Sequence, residues 1–230
     1  AGSSSVRDVL NGSNGGYSAS VGYDLATGLG VPMWSHLQPA LFGAPSVTAP
    51  ALTKSHTVPV SITVPPGMHY SAYAAGVDRS TEPLTCNSST ATSSAPTSVT
   101  IPKDGVHTIW VMGYTPAGKC YAGETSVRLD TTPPTALVTA PSSAFATGSP
   151  VSVTWAAADP SGSGIATTDV RYGRRGATST SPFVWTGWQN ATTARTSTLT
   201  STALASTYCF QARARDVAGN LGPWSSTRCI

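Results

Sequence analysis

The fold is decided by the octapeptide YCFQARAR, residues 208–215, in which two kinds of side chain alternate. Its even-numbered positions hold tyrosine, phenylalanine and two alanines, and its odd-numbered positions hold cysteine, glutamine and two arginines. Because successive side chains of a β-strand point to opposite faces of the sheet, this pattern places one face on a core and the other toward water. The pentapeptide VSVTW, residues 151–155, alternates in the same way. Both stretches therefore predict half-buried β-strands.

Outward from these two stretches, the chain after residue 50 consists of short strand candidates separated by turn residues. Helical periodicity is almost absent, and in the one helix candidate, residues 32–41, Pro39 allows only a turn or two. Short alternating strands with turn signals every 8–12 residues or so are typical of β-sandwiches. The predicted strands are 57–64, 69–75, 98–101, 106–114, 121–129, 136–140, 151–156, 168–172, 183–188, 196–199, 208–215 and 224–229.

Changes in composition divide the sequence into three blocks. Residues 1–44 are rich in glycine and asparagine, and the segment GAPSVTAP, residues 43–50, has the composition of a linker. The second block covers residues 51–131 and the third covers residues 132–230. Each of these two blocks has the length of one β-sandwich, so we predict a mainly β protein with two tandem β-sandwich domains.

The composition of the 230 residues argues against several classes of protein. Hydrophobic residues make up 40% of the chain, which is enough for a core, so we do not expect a disordered protein. The net charge is +3 and the longest basic run is Arg174-Arg175, which argues against a nucleic-acid partner. No apolar stretch approaches the roughly 20 residues of a membrane-spanning helix, so we expect no membrane span.

The four cysteines predict a disulfide-bonded protein. Cys86, Cys120, Cys209 and Cys229 include no C-x-x-C pair, so a zinc site is not expected. Their spacing of one pair in each of the two later blocks predicts the bridges Cys86–Cys120 and Cys209–Cys229. A loop of roughly 20 residues closed by the second bridge contributes about 3 kcal/mol in the chain-entropy model. Disulfides persist in oxidising compartments, so we predict a secreted or extracellular protein.

The third block resembles a fibronectin type III domain. The resemblance covers residues 131–230 and implies a β-sandwich that acts as a spacer or a binding module. The second block is similar to a looser immunoglobulin-type sandwich. The motifs that carry the first resemblance are TTPP at 131–134, Trp155, Leu204 ahead of Tyr208, ARARD at 212–216, Gly219-Asn220 and PWS at 223–225.

The first block carries a more specific set of motifs. They are RDV at 7–9, NGSNGGY at 11–17, GYD at 22–24, TGLG at 27–30 and Pro32. This run resembles the C-terminal end of the catalytic domain of sedolisin-family peptidases, also called serine-carboxyl peptidases. The resemblance covers residues 6–36. It implies that residues 1–44 are the C-terminal remnant of an α/β, subtilisin-like catalytic domain.

In the sedolisin family this region forms a calcium site, and the resemblance carries its ligands onto five positions. They are the carboxylates of Asp8 and Asp24 and the backbone carbonyls of Val9, Ser20 and Gly22. Ser20 departs from the family's glycine, although a carbonyl ligand survives that change. Calcium takes six to eight oxygen ligands, so two carboxylates with carbonyls and water suit it. The alternative is that both aspartates cap turns in a glycine-rich loop.

The resemblance does not extend to the family's catalytic residues. In the family, a Glu/Asp pair, an oxyanion Asp and a nucleophilic Ser in a Gly-Thr-Ser context all precede the calcium segment. Ser3, Ser4 and Ser5 have neither that context nor that spacing, so we assign no catalytic residue in this chain. The expected function is that of a C-terminal part of a secreted sedolisin-like endopeptidase. It would carry the calcium site and accessory domains, and its protein substrate would bind the catalytic domain.

A second hypothesis is a non-catalytic binding or adhesion module that recognises a polysaccharide, a protein or another cell-surface ligand. Trp185 and Trp188 are three residues apart, so on a strand they point to opposite faces and only one of them should be buried. The structural alternative applies to Trp224, which we expect to stack on Arg213 or Arg215 of the adjacent strand.

Overall fold

The computed structural model describes residues 6–7, 9, 11–19, 31–32, 43–78, 91–142 and 150–230. Within these ranges every element of regular secondary structure is a β-strand, so the described part of the chain is mainly β, as predicted. No helix in the described residues is long and apolar enough to cross a membrane.

The chain forms two compact units. The first is composed of the described residues within Ala1–Ala51, Thr57–Pro102 and Val106–Val127. The second is composed of those within Leu52–His56, Lys103–Gly105 and Arg128–Ile230.

In the first block, β1 (Val6–Arg7) pairs antiparallel with β2 (Val31–Pro32). Between them, Asn14 Oδ1 accepts hydrogen bonds from the amides of Gly16 at 3.1 Å and Tyr17 at 2.9 Å, which closes a local turn. The helix candidate at 32–41 lies outside the described residues except for its first residue. The predicted α/β remnant therefore stays a prediction.

The first unit contains three groups of paired strands. Two are short antiparallel pairs, and the third contains β7 paired antiparallel with β9. The predicted strand 57–64 divides at Val60, because its two halves pair with different partners. The strands are β3 (Ser46–Thr48) with β6 (Ser61–Thr63), β5 (Thr57–Pro59) with β8 (Ser98–Thr100), and β7 (Ala72–Val77), β9 (Gly105–Tyr114) and β10 (Cys120–Leu129).

The second unit is made of two antiparallel sheets. One has the order β11-β12-β15 and the other the order β14-β13-β16-β17. A short β4 (Leu52–Thr53) pairs parallel with Arg128 and Leu129 at the end of β10. The strands of the two sheets are β11 (Thr135–Ala140), β12 (Val151–Ala158), β13 (Ile165–Gly176), β14 (Val184–Thr192), β15 (Thr196–Leu199), β16 (Ser206–Asp216) and β17 (Arg228–Cys229).

Both sheets of the second unit contribute to one apolar core, which makes this unit a β-sandwich. Trp155 fills its centre, and its indole Nε1 donates a hydrogen bond to Thr168 Oγ1 at 2.9 Å, so the buried ring keeps a partner. The alternation of residues 208–215 is as predicted, since its even-numbered side chains are buried. The core consists of Val138, Val151, Val153, Trp155, Val170, Leu199, Tyr208, Phe210 and Ala212.

Cys209 is buried although it belongs to the polar face of its strand. The reason is a disulfide to Cys229, the residue directly opposite it on β17, with 4.0 Å between the two Cα atoms. This predicted bridge is confirmed. Of the second predicted pair, Cys120 is disulfide-bonded and Cys86 lies outside the described residues.

Candidate functional sites

Of the five residues predicted to bind calcium in the first block, the structure describes one. This residue is Val9, which is half-buried and lies two residues after the end of β1. Asp8, Ser20, Gly22 and Asp24 lie outside the described residues. The calcium site at these positions therefore stays a prediction.

A different acidic cluster, formed by Asp130, Asp159 and Asp216, lies within the second unit. One carboxylate oxygen from each residue lies within 4.8 Å of those from the other two. Asp130 follows the last residue of β10, Asp159 follows β12, and Asp216 ends β16. Three strand ends thus bring together carboxylates from distant parts of the sequence.

Asp130 is 2% exposed, and its carboxylate accepts two hydrogen bonds. The amide of Thr132 donates to Oδ1 at 3.1 Å and the amide of Ser163 donates to Oδ2 at 2.5 Å. The second bond joins Asp130 to the turn that follows Asp159. Backbone amides therefore fix the position of this carboxylate.

Asp159 begins the turn between β12 and β13 and is half-buried. Its Oδ2 accepts the amide hydrogen of Gly164 at 2.7 Å, whereas Oδ1 is buried and has no hydrogen-bond partner among the residues that the structure describes. A Cβ atom at Gly162 would collide with this carboxylate, so a larger residue there would displace it. Gly164 has φ +92°, a left-handed conformation that glycine adopts without strain.

Asp216 is 1% exposed and is held by the turn that follows it. The backbone amide of Asn220 donates to Oδ1 at 2.7 Å, and its side-chain Nδ2 donates to Oδ2 at 2.7 Å. The same Nδ2 also donates to the backbone carbonyl of Asp130 at 2.8 Å. Asn220 therefore ties the ends of β10 and β16 together.

Positive side chains surround the cluster but bind backbone carbonyls. Arg128 donates to the carbonyls of Ser161 at 3.1 Å and Gly162 at 2.5 Å. Lys54 and Arg215 both donate to the carbonyl of Gly219, at 3.0 and 3.1 Å. Among the residues that the structure describes, no ion pair joins a cation to any of the three clustered carboxylates.

Sequence reasoning missed this cluster because each aspartate has an ordinary local explanation. DPSG at 159–162 and DVAGN at 216–220 are turn signals in their own right. The available signal is that Asp130 and Asp216 directly follow predicted strands, that Asp159 comes three residues after one, and that each precedes a turn. That pattern suggests proximity only once the strand order is known.

The second candidate site is an array of alternating rings and guanidinium groups on the outer face of β13, β14 and β16. Arg171 lies between Trp185 and Trp224, with its guanidinium carbon 4.7 and 4.2 Å from the two ring centroids. Arg213 stacks over Trp224 at 4.5 Å, as predicted. We call these four residues the Arg–Trp array.

Each arginine of the array also has a polar partner. Arg171 donates from Nε and Nη2 to Gln211 Oε1 at 3.0 and 2.7 Å, and Arg213 forms an ion pair with Asp169 at 2.9 Å. Burial, and then the nearby charge of Arg213, lower the pKa of Arg171. A guanidinium nevertheless keeps its proton at any physiological pH.

The two tryptophans of β14 differ in environment. Trp188 packs against the core, with its ring centroid 6.1 Å from that of Phe210 and 6.5 Å from that of Tyr172. Trp185 is half-buried and stacks under Arg171 on the outer face. The predicted opposite orientation is therefore as observed, but the outer ring is covered by a cation.

Comparison with known proteins adds little to the description of these two sites. No family model matches the sequence, and no curated protein matches it. Among solved structures, the chain is similar to the fibronectin(III)-like modules of Clostridium thermocellum CbhA. That match has 14% sequence identity and a TM-score of 0.40, and it covers 80% of this chain and 92% of the other.

Proposed function

We propose that the second unit is a non-catalytic accessory module of a secreted protein, which acts as a durable spacer. The observation that carries this proposal is the way the last 14 residues are fastened to the sandwich. They form only a two-residue strand, β17, yet a covalent bond, a ring and backbone hydrogen bonds hold them along β16.

These attachments are spread along the whole segment. The amide of Gly222 donates to Ala214 O at 2.8 Å, and that of Ser225 donates to Ala212 O at 2.8 Å. The ring of Trp224 contacts two guanidinium groups, those of Arg171 and Arg213. The disulfide then closes the end, and a bridge over a loop of this length contributes about 3 kcal/mol. Such fastening suits a module that must stay folded outside the cell, where proteases and low pH are common.

The Arg–Trp array favours the spacer function and argues against a polysaccharide-binding platform. A platform for sugars needs exposed ring faces, whereas Trp185 and Trp224 are both half-buried and stacked against arginines. Recognition of a polysaccharide or a cell-surface ligand through Trp185 is the competing function.

We infer from residues 6–36 that the module serves a sedolisin-like serine-carboxyl endopeptidase. The support is the sequence resemblance alone. On this proposal Asp8, Val9, Ser20, Gly22 and Asp24 bind structural calcium, and protein substrates meet a catalytic domain encoded upstream. Its direct test is the coding DNA before Ala1. A continuous frame with a Gly-Thr-Ser nucleophile and an earlier Glu/Asp pair supports it, and a frame without them contradicts it.

The accessory role is tested by limited proteolysis and by retention on insoluble polysaccharides. We expect the oxidised chain to keep residues 150–230 intact under a protease dose that cleaves the reduced chain. We expect no retention on cellulose, chitin or bacterial cell wall above that of a Trp185→Ala variant. Retention of the parent chain that the Trp185→Ala variant loses would establish a binding module instead.

A further inference from the structure

We infer that Asp130, Asp159 and Asp216 form a calcium site in the second unit, separate from the one predicted at Asp8 and Asp24. Asp159 and Asp216 come from the ends of two strands of the sandwich, β12 and β16, and Asp130 from the segment that follows β10. Nothing in the sequence motifs of residues 6–36 bears on them, so either site can exist without the other.

The spacing of the oxygens suits calcium. Calcium binds oxygen ligands at about 2.3–2.6 Å, so two ligands on opposite sides of one ion are at most roughly 5 Å apart. The three carboxylate oxygens lie within 4.8 Å of one another, inside this limit. Magnesium, with shorter bonds and strict octahedral geometry, fits such a spread less well. Zinc is disfavoured because the cluster has no histidine or cysteine.

A second observation, independent of the acidic residues' proximity, is the bonding of Asp159. Its Oδ1 is buried and has no hydrogen-bond partner in the described part of the chain. A buried polar atom without a partner is destabilising, and a buried carboxylate oxygen is more so. A cation bound at the cluster would supply the missing contact.

The surrounding charges give a third reason. Asp130 and Asp216 are almost completely buried, and buried carboxylates normally pair with cations or coordinate metals. Here Arg128, Lys54 and Arg215 bind the carbonyls of the adjacent turns instead. The backbone amides that hold the carboxylates carry no full charge. The cluster therefore keeps an excess of negative charge that a divalent cation would neutralise.

Nuclear magnetic resonance tests the site without any variant. The amides of Ser163, Gly164 and Asn220 donate to Asp130, Asp159 and Asp216 respectively. When calcium chloride is added to the metal-free protein, we expect these three amide resonances to shift together and their shifts to saturate at one equivalent of calcium bound at this site. Resonances that do not move with calcium, or that move equally with magnesium, would overturn the calcium site.

Thermal unfolding with matched variants separates the two calcium proposals. We expect saturating calcium to raise the midpoint temperature of the parent by roughly 5 °C or more. Asp159→Asn should lose the part of this rise that belongs to the second unit, and Asp24→Asn should keep that part. If Asp159→Asn and the parent respond equally to calcium, the site in the second unit does not exist. If the response of Asp24→Asn equals the parent's, the site in the first block is contradicted and this one is not.

Discussion

The two charged regions of the second unit differ in how their charges are balanced. In the Arg–Trp array, each guanidinium has a ring beside it and a polar acceptor within 3.0 Å. In the acidic cluster, three carboxylates lie close together, and one buried oxygen has no hydrogen-bond partner within the described ranges. The array is thus complete within the described chain, whereas the cluster is complete only with an added cation.

This difference shows how a structural site can be told from a binding site. Charged groups that already pair with neighbouring groups of the protein stabilise the fold and have little affinity for a ligand. A group that lacks its counter-charge is destabilised until a ligand arrives, so its ligand also stabilises the fold. The array should therefore respond to mutation but not to ions, and the cluster should respond to both.

The largest effect is expected from removal of the disulfide. A double substitution, Cys209→Ser with Cys229→Ser, should lower the free energy of unfolding by about 3 kcal/mol. The physical reason is the regained freedom of the final segment in the unfolded chain. Chemical denaturation of the parent and the double variant, both in calcium, measures the loss.

The same double variant sharpens the comparison between the two regions. Because the bridge joins β16 to β17 beside the array, we expect the calcium-induced rise in the midpoint temperature to survive. A double variant that no longer responds to calcium would show that the cluster depends on the bridge, and the two regions would not be independent.

The next effect is expected from the central ring of the array. Trp224→Ala removes a half-buried ring that contacts both Arg171 and Arg213, so it should destabilise the fold by about 2 kcal/mol. Trp185→Ala, the matched control, removes a ring that stacks on one arginine, Arg171, and has its centroid 6.0 Å from that of Phe183, so it should cost about half as much. Equal losses for the two variants in denaturant unfolding would contradict the array as described.

The sequence predicts many of the strands and one contact of the Arg–Trp array, but it does not predict the acidic cluster. The alternation of residues 208–215 predicts β16, and the spacing of Cys209 and Cys229 predicts their bridge, because both depend on local periodicity. The contact between Trp224 and Arg213 is predicted from adjacent strands and is present, although the predicted strand 224–229 is shortened to Arg228–Cys229 and Trp224 precedes it. The division of strand 57–64 at Val60 could not be predicted from the sequence, because it depends on which strand each half pairs with.

The acidic cluster could not be predicted for a related reason. Asp130 and Asp216 are far apart in sequence, and they meet only because β10 and β16 end near each other and Asn220 bridges them. Turn chemistry explains each aspartate alone, so nothing local indicates a shared site. In contrast, the motifs of residues 6–36 are local, and they predict a calcium site that stays untested.

The smallest effects should be the most informative, because they are expected to have opposite signs. Asp169→Asn removes the partner of Arg213, so it should destabilise the fold by about 0.5–1 kcal/mol. Asp159→Asn, measured in a chelator, removes one of three mutually repelling carboxylates. Its Oδ2 position still accepts the amide hydrogen of Gly164, so it should leave stability unchanged or raise it by up to about 1 kcal/mol.

In calcium the same Asp159→Asn variant should be less stable than the parent, because it has lost a ligand oxygen of full charge. A reversal of sign between chelator and calcium, seen for Asp159→Asn and not for Asp169→Asn, is what separates a site that needs a cation from an ion pair that does not. If Asp159→Asn destabilises the metal-free chain as Asp169→Asn does, the carboxylate of Asp159 is already satisfied within the protein and the difference between the two regions disappears.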